Sequence, residues 1–265
     1  MKSFIRWAGS KKQILSTLRQ YWPGGRVKYI EPFCGSASLF FALQPTDSIL
    51  ADLNPDLIGA MRAVKRDVGR VVECLRRLPK GKNAYYRVRK NDPALLSHNE
   101  RAARFIYLNR YCFNGLYRTN AAGLFNVPYG DHKGNLKIDE STIIEAATLL
   151  SNAQLVCGDF EETLALAQKG DFVYLDPPYV TEKRRVFSEY TPGSFTVADL
   201  RRLAASLKRL DRRRVTFIIT YAYSAESREL LGEWNTRRVK ARRHIAGFAG
   251  ARRGAYELIA TNLSN

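Results

Sequence analysis

Asp176-Pro177-Pro178-Tyr179 closes an apolar run, Phe172-Val173-Tyr174-Leu175, and its residue types suit an exocyclic amine. An ionised carboxylate only accepts hydrogen bonds. The two prolines cannot continue a helix and remove the N–H donor at successive positions. A carboxylate oxygen and a backbone carbonyl can therefore hold both N–H groups of a nucleobase amine, with the Tyr179 ring placed to stack on the base. Ligand sites of open α/β sheets form at the carboxyl ends of strands, where this motif falls. The bland alternative is a Pro-Pro turn beside an incidental aromatic. Composition alone yields such a four-residue string on the order of once per thousand chains of this length.

Two further clusters could bind a nucleoside. In Glu31-Pro32-Phe33-Cys34-Gly35-Ser36-Ala37-Ser38 a strand end meets a glycine and small residues, which lets backbone approach a ligand at a helix N-terminus. An ordinary strand-to-helix turn explains it equally well. Asp52 ends the next strand about 20 residues on, where a ribose-binding acid stands in nucleoside-binding α/β folds. Asp52 could equally cap or turn the chain ahead of Asn54-Pro55. Neither G-x-x-x-x-G-K-[ST] nor G-x-G-x-x-G occurs, and a nucleoside without a phosphate cradle points to S-adenosylmethionine. In Arg6-Trp7-Ala8-Gly9-Ser10-Lys11, Trp7 could pack on a cofactor, Gly9 and Ser10 begin a helix, and Lys11 reach a carboxylate. Isolated residues of these types more often make a core tryptophan and a capped helix.

The elements that must position these groups are short β-branched and aromatic runs. Strands are expected over residues 27–33, 48–52, 154–159, 171–176, 214–221 and 256–263, alternating with amphipathic stretches. That pattern indicates a parallel α/β sheet covered on both faces. Residues 55–150 break it with helical periodicity and loop signals. Within 100–113, Ala102, Phe105, Ile106, Asn109 and Phe113 share one helical face, and Arg104, Tyr107 and Tyr111 point elsewhere. A Gly- and Asn-rich stretch follows over 114–135. So long an excursion reads as an inserted helical domain (55–150) within a catalytic domain formed by 1–54 and 151–265.

Composition narrows the class. The 265 residues carry 43 Lys+Arg against 25 Asp+Glu, a net +18, yet 45% are apolar and 11% aromatic. A disordered polycation lacks the apolar surface to offset ordering entropy. No apolar run approaches the ~20 residues that span a bilayer, and the start lacks the apolar stretch of a signal peptide, so no membrane and a cytoplasmic location are expected. Cys34, Cys74, Cys112 and Cys157 form no C-x-x-C pair, and His98, His132 and His244 are scattered, which suits reduced thiols and no metal site. Residues 182–253 hold 18 Lys+Arg and 7 Asp+Glu, including Lys183-Arg184-Arg185, Arg212-Arg213-Arg214 and Arg242-Arg243. Such runs are either solvated faces of surface helices or nucleic-acid contacts.

The combination resembles the Dam-type DNA adenine methyltransferases, the D12 class in which cofactor motifs precede the recognition region and the catalytic motif follows it. The matching blocks are RWAGSK (Arg6–Lys11), IEPFCGSASLFF (Ile30–Phe41), ILADLNPDLI (Ile49–Ile58), YLNRYCFNGLYRTN (Tyr107–Asn120), GLFNVPYG (Gly123–Gly130), VYLDPPY (Val173–Tyr179) and SFT (Ser194–Thr196). Weaker similarity continues around Arg242-Arg243 and Tyr256-Glu257-Leu258. The resemblance implies a Rossmann-like S-adenosylmethionine-dependent methyltransferase sheet carrying an inserted helical target-recognition domain. It implies that Trp7, Ala8, Gly9, Ser10, Lys11, Asp52 and Asp176 border the cofactor. Gly35, Ser36 and Ala37 would line its methionine end and Asp159 and Phe160 its adenine, with Pro32 and Phe33 also cofactor-binding.

By the same resemblance Asp176, Pro177, Pro178 and Tyr179 hold the target base. Phe113 and Asn114 match the strand-invading element, and Leu116, Arg118 and Pro128 match base-reading positions. Arg6, Asn109, Arg110 and Asn120 complete the implied DNA contacts. A base inside a duplex cannot present its amine to a methyl donor, so it must flip out at a cost of about a few kcal/mol, partly offset by a wedge such as Phe113. Asp176 and the Pro177 carbonyl would then orient the N6 amine for in-line methyl transfer, and positioning would supply most of the acceleration. Cys34 reads as a small packing residue.

Four departures separate this chain from well-known members. Arg6 replaces lysine, Thr119 an aromatic, Thr220-Tyr221 a Ser-Asn pair, and Ala37 a motif glycine. An Arg fork still fits guanine O6/N7, but the departures remove the grounds for expecting GATC recognition. Cytosine-N4 methylation and a catalytically silent DNA-binding module are the competing readings. The partners expected are duplex DNA, on the nucleoid, and a cognate restriction endonuclease if the chain serves a restriction system. No oligomeric state follows.

Overall fold

The computed structural model describes residues 1–130, 137–179, 195–241 and 255–264. The runs Lys183-Arg184-Arg185 and Arg242-Arg243, and Ser194, His132 and His244, lie outside these residues. The elements in chain order are α1 (Leu15–Arg19), β1 (Tyr29–Glu31), α2 (Ser38–Leu43), β2 (Ser48–Asp52), α3 (Pro55–Arg77), α4 (Lys82–Lys90), α5 (His98–Tyr111) and α6 (Glu140–Leu150). They continue with β3 (Ala153–Cys157), α7 (Phe160–Ala165), β4 (Phe172–Leu175), α8 (Val197–Arg212), β5 (Thr216–Ala222), α9 (Ala225–Leu231), β6 (Asn235–Ala241) and β7 (Ala255–Thr261).

The strands form one sheet in the order β3-β2-β1-β4-β5-β7-β6. Register pairs Ile30 with Ile49 and with Val173, and Val173 with Phe217, all in parallel. β7 instead runs antiparallel to β5, with Glu257 opposite Ala222, and β6 pairs antiparallel with β7. The fold is therefore a Rossmann-like α/β sheet, parallel over five strands, with an antiparallel hairpin at one edge. This corrects the expectation of an all-parallel sheet.

Alternation along the strands sends side chains to two cores. Tyr29, Leu50, Phe172, Tyr174, Ile218 and Ile259 face one cluster, shared with Leu18 of α1, Phe40 of α2 and the buried faces of α3 and α5. Ile30, Ile49, Val173, Leu175, Phe217, Ile219 and Leu258 face the other, closed by Leu164 of α7, Leu203 and Leu207 of α8 and Leu231 of α9. Asn54 caps α3 by accepting from the Asp56 and Leu57 N–H groups, with Pro55 in the first turn. α3 leaves the end of β2 and packs on α5 and α6 before the chain returns to β3. Among the described residues no helix is long and apolar enough to cross a membrane.

Three local expectations differ from the structure. Gly9 and Ser10 do not begin a helix. Gly9 has φ +83° and Ser10 N–H closes a turn on the Trp7 carbonyl, so α1 starts only at Leu15. In α5, Arg104 and Tyr107 are buried along with the expected apolar face. Arg104 donates to the Val88 and Arg89 carbonyls and Tyr107 to that of Pro79, which satisfies their polar atoms. Phe113 lies beyond α5, in a 3-10 turn. Strand β6 (NTRRVKA) was unexpected from its polar composition.

Candidate active site

Side chains from four separate segments meet at the carboxyl end of the parallel strands. Asp176 follows β4 directly, and its Oδ1 sits 2.7 Å from Lys11 Nζ. Thr220, near the end of β5, donates to the same oxygen at 3.0 Å. Both donors use Oδ1, so Oδ2 stays clear of them. The Asp176 side chain is 20% exposed and that of Lys11 only 7%, so a ligand can reach the carboxylate but not the ammonium. Pro177 is buried and Pro178 exposed. Lys11 also lies 3.7 Å from Glu257 Oε1 of β7, donates to the Gly9 carbonyl, and stands 5.1 Å from the Tyr179 ring centroid. The Tyr179 hydroxyl donates to Glu257 Oε1 at 3.2 Å, and its ring meets Tyr221 edge-on at 5.0 Å.

Electrostatics follow from this packing. Burial raises the Asp176 carboxyl above its ordinary range, and Lys11 and Thr220 oppose that shift. Burial alone would lower Lys11, but Asp176, Tyr179 and Glu257 hold it above its ordinary value, so it remains cationic. Glu31, at the end of β1, is pushed well up by burial and accepts from the Tyr29 hydroxyl at 2.8 Å.

A second group of residues lies at the ends of β1 and β2. Asp52 accepts from Gly35 N–H at 3.0 Å and from Asn54 N–H at 2.9 Å. It thus ties the Gly35 turn to the strand end, while Asn54 does the capping. Burial raises the Asp52 carboxyl despite these donors, and each oxygen keeps a second lone pair for a ligand hydroxyl. A Cβ on Gly35 would lie 2.8 Å from Trp7 Cδ1, so only glycine lets the indole lie against this backbone. Ala37 adopts a left-handed conformation (φ +50°) ahead of α2, the geometry for which the motif glycine is suited. Ser36 is buried and its hydroxyl lies 2.8 Å from that of Ser38.

Aromatic rings mark a third group. Phe33 and Phe160 stack at 5.2 Å, and Phe195 meets Phe33 edge-on. Asp159 caps α7 and pairs with Arg202 of α8 at 2.7 Å; that guanidinium covers the Phe160 ring at 4.9 Å. The donor set fits a nucleoside sulfonium cofactor: a carboxylate for ribose, an aromatic pair beside a second carboxylate for a base, and a Gly35 turn held bare against the Trp7 indole.

The implied DNA-reading residues gather around the N-terminal segment and the loop after α5. Asn109 is buried; its Oδ1 accepts from Arg6 N–H and its amide donates to the Arg6 carbonyl. Arg6 in turn donates to the Arg110 carbonyl, and Arg110 to that of Lys137. A Cβ on Gly115 would meet Arg6 Cβ at 2.8 Å. Phe113 is 39% exposed and its N–H donates to the Pro128 carbonyl. Asn114, Arg118, Asn120 and Pro128 are exposed, and Leu116 is half-buried. Residues 118–126 double back as a hairpin, closed by Asn126 N–H on the Arg118 carbonyl, with Arg118 donating to Asn126 Oδ1 at 2.7 Å. Trp7 stacks on Tyr117 at 5.8 Å, linking this loop to the Gly35 turn.

Thr220, Glu257, Tyr117 and Arg202 escaped sequence reasoning. Thr220 registered only as a departure from a family pattern. The available signal was a lone polar residue inside an apolar strand, in FIITY and again in AYELIA. Ala8 is exposed beside Gly9 in the N-terminal turn, and Pro32 follows Glu31 in the β1 exit.

A family model described as D12 class N6 adenine-specific DNA methyltransferase matches residues 7–245. The Type II methyltransferase M.MjaIII of Methanocaldococcus jannaschii is 38% identical over 99% of this chain and 99% of its own length. The Type II methyltransferase M1.LlaDCHI of Lactococcus lactis is 34% identical, covering 100% of this chain and 96% of the relative. The DNA adenine methylase of Escherichia coli K12 is 33% identical over 98% and 94%. With the motif order, the sheet and the Asp176 cluster in agreement, the chain belongs to the D12 class of N6 adenine-specific DNA methyltransferases.

Proposed function

We propose that the chain methylates N6 of an adenine flipped out of duplex DNA, with S-adenosylmethionine as donor, at the site centred on Asp176. The observation that carries this reading is the Asp176 carboxylate, reachable at the sheet's carboxyl end with Oδ1 held by Lys11 and Thr220. Oδ2 and the Pro177 carbonyl are then the acceptors for the two N–H groups of the adenine amine, and Tyr179 provides a face for the base. Bound S-adenosylmethionine supplies an activated methyl group. Asp52 orients its ribose, Phe33, Asp159 and Phe160 hold its adenine, and Trp7, Gly35, Ser36 and Ala37 border its methionine end. Lys11 opposes the effect of burial on Asp176 and so favours its ionised form, which gives the amine a negatively charged acceptor. As the methyl–sulfur bond breaks and the N6–carbon bond forms, S-adenosylhomocysteine is left and the surplus N6 proton passes by way of the Asp176 carboxylate to solvent.

Residues 55–150 act as the target-recognition domain, and 1–54 with 151–265 as the catalytic domain. Phe113 and Asn114 form the wedge that fills the vacated stack, and Phe113's exposure supports this. Arg6, Leu116, Arg118, Asn120 and Pro128 read bases or backbone. Asn109 acts through Arg6, whose main chain it clasps, and Arg110 steadies the same segment. The enzyme works in the cytoplasm, on the nucleoid.

Binding measurements separate the two subsites. Asp52→Asn weakens S-adenosylmethionine binding at least tenfold and leaves DNA affinity within twofold, while Arg118→Ala does the reverse. A variant pair that loses both ligands together, or neither, overturns the assignment.

A further inference from the structure

Two arginines and two tyrosines interleave at the hairpin edge of the sheet. The Arg238 guanidinium carbon lies 4.4 Å from the Tyr256 ring centroid and 5.5 Å from that of Tyr223. Arg228 of α9 also lies over the Tyr223 ring, at 5.5 Å from its centroid. The result is a ladder, Arg228–Tyr223–Arg238–Tyr256, with Tyr223 37% and Tyr256 41% exposed. Tyr223 N–H donates to the Tyr256 carbonyl at 3.1 Å, which fixes the two tyrosine rungs relative to each other. Among the described residues neither arginine has a carboxylate partner, and nearby Glu233 is paired with Lys208. Lys240 of β6, opposite Tyr256 in the register, adds exposed positive charge beside it.

Edge protection explains part of this, because charged residues on a free strand discourage pairing with another chain. It does not account for Arg228 and Tyr223, which belong to α9 and the β5 exit rather than to the edge strand. Stacking on a tyrosine pre-orients a guanidinium and leaves its N–H groups at the rim, the arrangement that suits phosphate oxygens. The location is also informative. Tyr223 follows the carboxyl end of β5, and Tyr256 adjoins Glu257 of the Asp176 cluster, so the ladder stands at the catalytic end of the sheet. In strand order, β4 is central; the 55–150 segment enters between β2 and β3 on one side, and β5-β7-β6 lie on the other. A duplex read on the first side, with its base at Asp176, leaves across the second. Three strand spacings of about 4.8 Å separate β4 from β6, roughly four base steps at 3.4 Å each.

We propose that the Arg228–Tyr223–Arg238–Tyr256 ladder is a second DNA-backbone contact, gripping phosphates of the substrate duplex on the side of the target base away from residues 55–150. This rests on the reading of the chain as a duplex-DNA methyltransferase. The contact is indifferent to sequence and adds to affinity through charge.

The test is equilibrium binding of the full chain to 30-base-pair duplexes across a salt series, with methyl transfer by the unmutated enzyme measured alongside. For the Arg228→Ala/Arg238→Ala variant, the slope of log affinity against log salt flattens by about 2, one phosphate per arginine. Affinity at low salt falls at least tenfold, equally on duplexes with and without methylatable sites. The Arg228→Gln/Arg238→Gln variant, whose planar amides keep the rungs filled, gives the same result and decides the matter if the alanine variant does not fold. A wild-type slope and affinity in the glutamine variant overturn the ladder as a DNA contact and leave edge protection as its role. Failure of the unmutated enzyme to methylate any duplex overturns the underlying reading instead, and the two failures are recognised separately.

Discussion

At the residue scale, the site turns on how Asp176 is kept charged and aimed. Two donors converge on Oδ1, and one of them, Thr220, comes from a strand 44 positions further along the chain. Its hydroxyl also lies 3.3 Å from that of Tyr174, so Thr220 is held in place from below as well. Burial raises the Asp176 pKa and the Thr220 bond lowers it. On the proposed reading the ionised form accepts the adenine amine, so activity is expected above that pKa and is lost as pH falls through it. Removing the hydroxyl raises the pKa further, which moves the loss to higher pH. Thr220→Val is therefore expected to shift the acid limb of the kcat profile upward and to lower kcat at neutral pH by about tenfold, the worth of one hydrogen bond to a charged group. Thr220→Ser restores both. An unshifted acid limb in the valine variant would remove Thr220 from the mechanism.

At the element scale, short turns carry the precision. The Gly35 turn is pinned from three directions: Asp52 holds its N–H, Trp7 lies on its face, and Ala37 bends left-handed into α2. An alanine in that conformation costs about 1 kcal/mol, so Ala37→Gly is expected to stabilise the protein by about that amount, read as a raised midpoint in denaturant at constant slope. A lowered midpoint would show that the left-handed turn is not where strain resides. The legibility of these elements follows the same physics. β2 and β4 are buried on both faces, so SILAD and FVYL announce themselves as apolar runs, and the acids at their ends stand out. β6 is an edge strand whose side chains meet solvent, and NTRRVKA carries no apolar signal. The antiparallel course of β7 depends on that unseen partner. Gly9-Ser10 looked like a helix start because small polar residues favour caps, but a positive φ at Gly9 makes a turn instead. Arg104 and Tyr107 fell outside the expected apolar face because their satisfying carbonyls lie 15 or more positions away.

At the scale of the whole molecule, the sheet gathers what the chain disperses. Trp7, Lys11, Asp52, Asp176, Thr220 and Glu257 span nearly the full length, yet all come to the carboxyl end of the sheet and its adjoining turns. Local motifs disclosed the first four. Thr220 and Glu257 could be recognised only once β5 and β7 paired, with Ala222 opposite Glu257. The net charge of +18 has two roles in this arrangement. Lys11 is buried and spends its charge on Asp176, whereas Arg228 and Arg238 remain exposed. Charge of the second kind holds a duplex of any sequence, and discrimination falls to a few base-reading side chains. The central claim is that Asp176 orients an adenine amine for methylation, and nucleoside analysis tests it most directly. Purified protein is incubated with labelled S-adenosylmethionine and mixed-sequence duplex DNA, and the digested nucleosides are separated by mass spectrometry. The account predicts labelled N6-methyladenine from the enzyme and none from Asp176→Ala, which keeps most of its DNA affinity. Labelled N4-methylcytosine, or near-normal N6-methyladenine from Asp176→Ala, would contradict it.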